Sequence, residues 1–203
     1  MTSIAETDRG ARMALRQATA AAHQRLHHLP GLAALQAGTI GRDEYAAVLR
    51  RLLAFHRAVE ARMEAAPSLL PYGIDFARRR RSALLLDDLA WLGAPAAPLP
   101  PPPVLPPLLT AAQALGCLYV TEGSTLGGLE LARKLDHLLP PGTTSGRSFL
   151  FGHGAAHGAM WREFCAALES CGTTPDRRDE MIAVALAAFA AFGDWFGADA
   201  AAS

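Results

Sequence analysis

"TAAQALGCLYVTEGSTLGGLELARKLDHLL", residues 110–139, has the spacing of one long helix, with Thr110 as its N-cap and the "PPG" at 140–142 closing it. Yet Gly116, Gly123, Gly127 and Gly128 stand inside it. Each interior glycine costs a helix about 0.5–1 kcal/mol relative to alanine, so something must offset them. A phosphate loop is excluded, because "EGSTLGG" has no P-loop lysine and no strand precedes it. Two readings stay open. Gly123 and Gly127 lie four apart on one face and would let a neighbouring helix come close. Alternatively that face admits a flat ligand to the backbone, with Gly127 and Gly128 permitting a kink that exposes amides and carbonyls.

Working outward, the same period recurs. Residues 11–29 place Met13, Leu15, Ala18, Ala22 and Leu26 on one stripe, ended by Pro30 and Gly31. Residues 42–65 carry Tyr45, Val48, Leu49, Leu52, His56, Val59 and Met63 three or four apart. Residues 75–92 read as a shorter helix that begins with the run Arg78 to Arg81. Residues 95–107 hold eight of the fourteen prolines, which excludes regular helix and makes 93–108 an extended strap within the domain. A helix over 148–170 is loosened at its start by Gly152, Gly154 and Gly158, and a last one begins at Thr174 with Pro175 in its first turn. No strand alternation, hairpin signal or repeat appears. The expected fold is all-α, one domain over 1–203 with residues 1–10 flexible.

Composition narrows the function. Nineteen basic residues balance nineteen acidic ones, so no net field recommends nucleic acid or an anionic membrane. "MTSIAETDRGARM" lacks the apolar core of a secretory signal, and the longest charge-free helical run, Met181 to Gly193, is too short to span a bilayer. A soluble, cytoplasmic protein is expected. Cys117, Cys165 and Cys171 are odd in number with no CxxC spacing, which indicates neither a disulfide framework nor zinc.

A flat ligand needs a partner for the glycine face, and the first helix offers one. His23 lies two turns after Arg16 on about the same face, a rise of roughly 10 Å. Haem has an iron at its centre and carboxylates at its edge at about that separation; neutral imidazole ligates the iron and arginine pairs with carboxylates. The plain alternative is an ordinary helix histidine. His27, at i+4, makes a two-histidine metal pair conceivable, although no HExxH follows. His153 and His157, also four apart, are read as surface or satisfied histidines, with a second metal site as the sharper alternative. His56 is read as a core histidine, and Arg78 to Arg81 as a solvated face that could also dock an acidic electron donor.

Three stretches resemble the haem oxygenases, most closely the bacterial branch associated with bacteriophytochromes. "LRQATAAAHQRL" (15–26) is similar to the family's proximal helix, "LPPLLTAAQALGCLYVTEGSTLGGLELARKL" (105–135) to its distal helix, and "FLFGHGAAHGAMWREF" (149–164) to a later helix, in the family's order across nearly the whole chain. The resemblance implies haem held between the first helix and a kinked distal helix. It implies His23 as the axial iron ligand, Arg16 and Arg162 at the propionates, and Gly123, Ser124, Gly127 and Gly128 as the catalytic wall over the other face. It also implies cleavage of haem to biliverdin, CO and ferrous iron, using O₂ and electrons from a separate ferredoxin or reductase, with a bacteriophytochrome as a possible recipient of the biliverdin. The chain has no flavin or nicotinamide motif of its own. Two departures keep a non-catalytic haem carrier or sensor as the alternative. Ser124 stands where some members carry an aspartate, and a hydroxyl is a poorer acid–base group. His153 and His157 replace the Tyr and Thr more usual in relatives.

Overall fold

The computed structural model describes residues 10–124 and 127–198. Most of the segment expected to be flexible, residues 1–9, lies outside the described residues, as do Thr125 and Leu126. The fold is a single all-α domain. Its helices are α1 (Ala11–Leu26), α2 (Pro30–Ala37), α3 (Arg42–Glu64), α4 (Ser82–Trp91), α5 (Ala111–Ser124), α6 (Gly128–Lys134), α7 (Ser148–Phe151), α8 (His157–Cys171) and α9 (Pro175–Ala198), and among the described residues there is no strand.

Helix α9 organises the bundle. Its Met181, Ala185, Ala188, Phe189 and Phe192 are buried, and its main neighbours are α5 and α1. Helix α1 runs alongside it in the same direction: Gly172, just before α9, lies against Ala11, His23 meets Phe189, and Gly193 lies near Leu26. Helix α5 starts at the same end, where the Thr110 hydroxyl reaches the Glu180 carboxylate at 2.5 Å. By length and composition α9 could cross a bilayer, which corrects the expectation drawn from its charge-free run. A membrane window tolerates a charge or two, so the charge-free run understates the helix. One face of it is buried, 39% of that window, against its main neighbours α1 and α5.

Several boundaries differ from the periodicity. Pro30 begins α2 instead of only stopping α1, since its missing N–H costs nothing in a first turn, and Gly38 closes α2 at φ 72°. The expected helix over 75–92 is a short 3₁₀ turn, Phe76–Arg79, followed by α4. The break is fixed from α3, where the buried Glu60 carboxylate accepts the Arg81 and Ser82 amides, each at 2.9 Å, and the Ser82 hydroxyl at 2.6 Å. It is thus an N-cap supplied by another helix. The expected helix over 110–139 is divided into α5 and α6, and the one over 148–170 into α7, a 3₁₀ turn at Gly154–Ala156, and α8. Helix α7 is seated by Asp88 of α4, which accepts the Ser148 amide at 2.6 Å and the Phe149 amide at 2.9 Å. Residues 93–109 form no regular helix, and the Trp195 indole donates to the Pro101 carbonyl at 2.6 Å.

Candidate functional site

The four glycines of 116–128 divide into two kinds. A Cβ at Gly116 would collide with the Met181 backbone of α9, and one at Gly128 with the Leu150 carbonyl of α7. At those two positions the missing side chain admits another backbone. At Gly123 and Gly127 a Cβ would meet nothing within 4 Å. Helix packing therefore accounts for one pair and leaves the other facing open space.

That space borders α1. Tyr119 of α5 is half-buried beside Thr19 of α1, where the charges of Arg16 and Arg12 favour its ionised form against the burial that raises its pKa. One turn beyond Tyr119 on its own face is Gly123; one turn beyond Thr19 is His23. The His23 ring packs edge-on against His27 at 4.9 Å and Phe189 at 6.1 Å between centroids, and its residue is otherwise exposed. Burial of the packed side, then the neighbouring His27, lowers its pKa, so the imidazole is neutral at neutral pH with a lone pair to offer. His27 is held differently, its Nδ1 lying 2.8 Å from the Gln36 Oε1 of α2.

Arg16 is exposed on α1. Arg162 is exposed on α8, three residues before Cys165, whose thiol burial pushes up while the charge of Arg12 opposes the rise. The structure thus relates Tyr119, one turn before Gly123 on α5, to Arg16 and Arg12 on α1, two and three turns before His23, whereas the Arg162 guanidinium lies along its own helix beside Gly158. Arg12 and Tyr119 were missed by sequence reasoning; Tyr119, four residues before Gly123, was available to an i, i+4 search.

Ser124 faces away from this gap. Its hydroxyl donates to the Thr121 carbonyl at 2.8 Å and lies 3.4 Å from the Arg81 Nη1. Glu122 is buried and paired with Arg79 at 2.7 Å; burial raises its pKa while Arg79 and Arg81 oppose the rise. Arg79 also reaches Glu163 at 3.2 Å and the Met160 carbonyl at 3.1 Å. The reading of Arg78 to Arg81 as a solvated face is therefore half right. Arg78 and Arg80 are exposed, with Arg80 paired to Glu64 at 2.8 Å, while Arg79 and Arg81 are buried. Arg78 and Arg79 end the 3₁₀ turn and Arg80 leaves it in an extended conformation, so the four arginines do not follow the single α-helical face that the sequence pattern suggests.

His56 is buried beside the Phe149 ring at 5.0 Å, and burial, with Arg81 adding, holds its pKa well below the usual imidazole value. Burial and then Arg81 also lower His153 and His157. Among the described residues no group of three or more His, Cys, Asp or Glu side chains is placed to hold a metal ion.

A neutral imidazole on α1, with the Arg16 guanidinium about 10 Å along the same helix and a glycine of α5 that opens on space, is a donor set that fits a flat, metal-centred anionic ligand. That describes a helical haem-site protein. A family model described as "Heme oxygenase" matches residues 10–96 and 107–198, and the chain belongs to that family. It is 37% identical over 169 residues to a heme oxygenase of Xanthomonas campestris pv. campestris, covering 82% of this chain and 97% of that one. Among solved structures it is similar to the heme oxygenase of Leptospira interrogans, with a TM-score of 0.74, 18% identity and coverage of 94% and 100%. It is also similar to the NO- and CO-bound heme oxygenase of Neisseria meningitidis, with a TM-score of 0.73, 24% identity and coverage of 93% and 92%. A heme oxygenase of Synechocystis in complex with heme aligns at a TM-score of 0.73 and 16% identity, covering 96% of this chain and 94% of that one.

Proposed function

We propose that this protein is a soluble, cytoplasmic haem oxygenase that converts haem to biliverdin, CO and ferrous iron, with O₂ and with electrons from a separate ferredoxin or reductase. The observation that carries the reading is the pairing of a neutral His23 on α1 with the open Cβ side of Gly123 on α5. When bound, haem supplies both the iron centre for O₂ activation and the porphyrin that is consumed.

The chain's own residues bind and orient it. His23 offers an uncharged nitrogen donor, and Phe189 fixes the tilt of its ring by the edge contact. An imidazole donates less electron density than a thiolate, which suits oxidation of the ring better than cleavage of O–O into water. Arg16 and Arg162, joined by Arg12, pair with the propionates and set the ring's rotation in its plane. Gly123 and Gly127 let backbone lie close above the ring, so that the ring edge attacked is selected sterically. Ser124 is turned toward Thr121 and Arg81, so protons reach the site through water held by groups other than this hydroxyl. A bacteriophytochrome is the recipient of biliverdin that the branch suggests; nucleic acid and membrane have no part in the reading.

Adding hemin tests it. A shifted Soret band at one equivalent, followed by its loss with ascorbate or a ferredoxin system and O₂, is expected. His23→Ala should abolish turnover with helicity retained. No Soret change in the parent protein overturns the reading, and a Soret band stable to reductant leaves a carrier on the same fold.

A further inference from the structure

Arg81 is 3% exposed and precedes α4. Its guanidinium lies over the Phe149 ring at 4.0 Å, donates through Nη2 to the Phe149 carbonyl at 2.6 Å, and reaches the Thr121 carbonyl at 3.5 Å and the Ser124 hydroxyl at 3.4 Å through Nη1. Buried arginines ordinarily face carboxylates. Here the two nearby acids have other direct partners: Glu122, whose charge still favours the Arg81 cation, pairs with Arg79, and Glu60 accepts the Arg81 and Ser82 amides. The guanidinium fork is spent on two carbonyls and a hydroxyl belonging to two different helices.

The placement of those acceptors is specific. Thr121 and Ser124 form the last turn of α5, where carbonyls lack intrahelical partners and a cation is favourable. Phe149 is in α7. On the far side of the break, Gly128 at the start of α6 abuts the Leu150 carbonyl of the same short helix. Helix α7 thus receives both ends of the interrupted distal segment, the upstream end through Arg81 and the downstream end through Gly128. Asp88 of α4 holds α7 in turn.

The geometry points to Arg81 as a positioning residue for the haem reaction: by clasping Thr121 and Ser124 to Phe149 it sets where the Gly123–Gly127 wall stands over the substrate ring, and therefore which meso edge is cut. This deepens the haem oxygenase reading and rests on it. Lysine keeps the charge at position 81 but lacks a fork that can bridge two elements, so Arg81→Lys separates clasping from charge.

The experiment compares the parent, Arg81→Lys and Ser124→Ala in three measurements. Amide hydrogen exchange on haem-free protein should quicken about tenfold in peptides covering 117–128 of Arg81→Lys, with α1 and α9 unchanged, a tenfold change being about 1.4 kcal/mol of local opening. Azide titration of the ferric haem complex, followed in the visible spectrum, should tighten about tenfold as the wall relaxes. Chromatography of the biliverdin should show the parent's dominant isomer giving way to a mixture. Ser124→Ala, which removes one strut only, should move all three in the same direction by less. A variant that melts earlier yet keeps the parental exchange, azide affinity and isomer ratio makes Arg81 purely structural and overturns the inference. Should Arg81→Lys fail to fold, parental behaviour of Ser124→Ala in all three overturns it equally. Failure of the parent to bind hemin removes the functional reading, while exchange on the haem-free protein still decides the clasp.

Discussion

Gly123 and Gly128 look interchangeable in the sequence and respond oppositely to a methyl group. At Gly128 a Cβ must displace the Leu150 backbone, and such overpacking costs about 1–3 kcal/mol. At Gly123 it enters open space, where alanine gains helix propensity worth up to about 1 kcal/mol. Denaturant unfolding should show Gly128→Ala destabilised and Gly123→Ala equal to the parent or more stable, with hemin affinity lost only in Gly123→Ala. Unchanged hemin affinity there would detach Gly123 from haem binding. The cost of these glycines was legible from the sequence, but their division was not, because i, i+4 spacing does not say whether the facing object is a backbone or a gap. His56 was legible as core, and its consequence is a pH dependence. Its lowered folded pKa means that above about pH 6.5 neither state holds the proton, whereas below it the unfolded chain takes up a proton that the buried ring refuses. Stability then falls with pH at up to about 1.4 kcal/mol per unit until the ring's own pKa is reached. Urea unfolding of His56→Leu from pH 7 to 5 should give a shallower acid limb than the parent; parallel limbs would place the burden on other groups.

At the scale of elements, capping crosses the bundle. Glu60 of α3 starts α4, Asp88 of α4 starts α7, and Glu169 of α8 accepts the first two amides of α1 at 2.8 and 3.1 Å. Each of these acids is far from its recipient in the chain, so a local search for Ser, Thr, Asp or Asn at a helix start passes over it. That is why the helix over 75–92 was read as unbroken, while the stripe of α3, which depends on apolar period alone, was placed on a buried face. Asp88→Ala leaves the Ser148 and Phe149 amides without their acceptor, at a cost of about 1–3 kcal/mol. Because α7 seats both sides of the α5–α6 break, the same variant should also quicken amide exchange around Gly123 and Gly128. A loss of stability confined to α7 would uncouple the two.

For the whole molecule, ligand and fold are linked through the gap between α1 and α5. A ligand that binds only the folded state at a hundred times its Kd adds about 2.7 kcal/mol, which for a chain of this size raises Tm by about 5–10 °C. Stoichiometric hemin should produce a shift of that order in calorimetry, and His23→Ala should remove most of it. An equal shift in that variant would point to adsorption elsewhere. The all-α class and the place of the proline strap followed from periodicity and composition, since both are sums over many residues. The clasp around Arg81 did not, because it joins residues 81, 121, 124 and 149, which only the tertiary fold brings together.

The strap has one more consequence. Eight of its residues between 95 and 107 are prolines, which offer carbonyls and no amide hydrogens, and the donor that fastens it, the indole of Trp195, comes from α9. Val104 and Leu109 stand exposed on it or just beyond, at 87% and 74%, and such apolar side chains on an ordinary extended segment would invite another chain to pair edge to edge. A run so poor in donors cannot complete a ladder. The protein can therefore carry an extended, partly greasy segment on its surface without offering a template for aggregation.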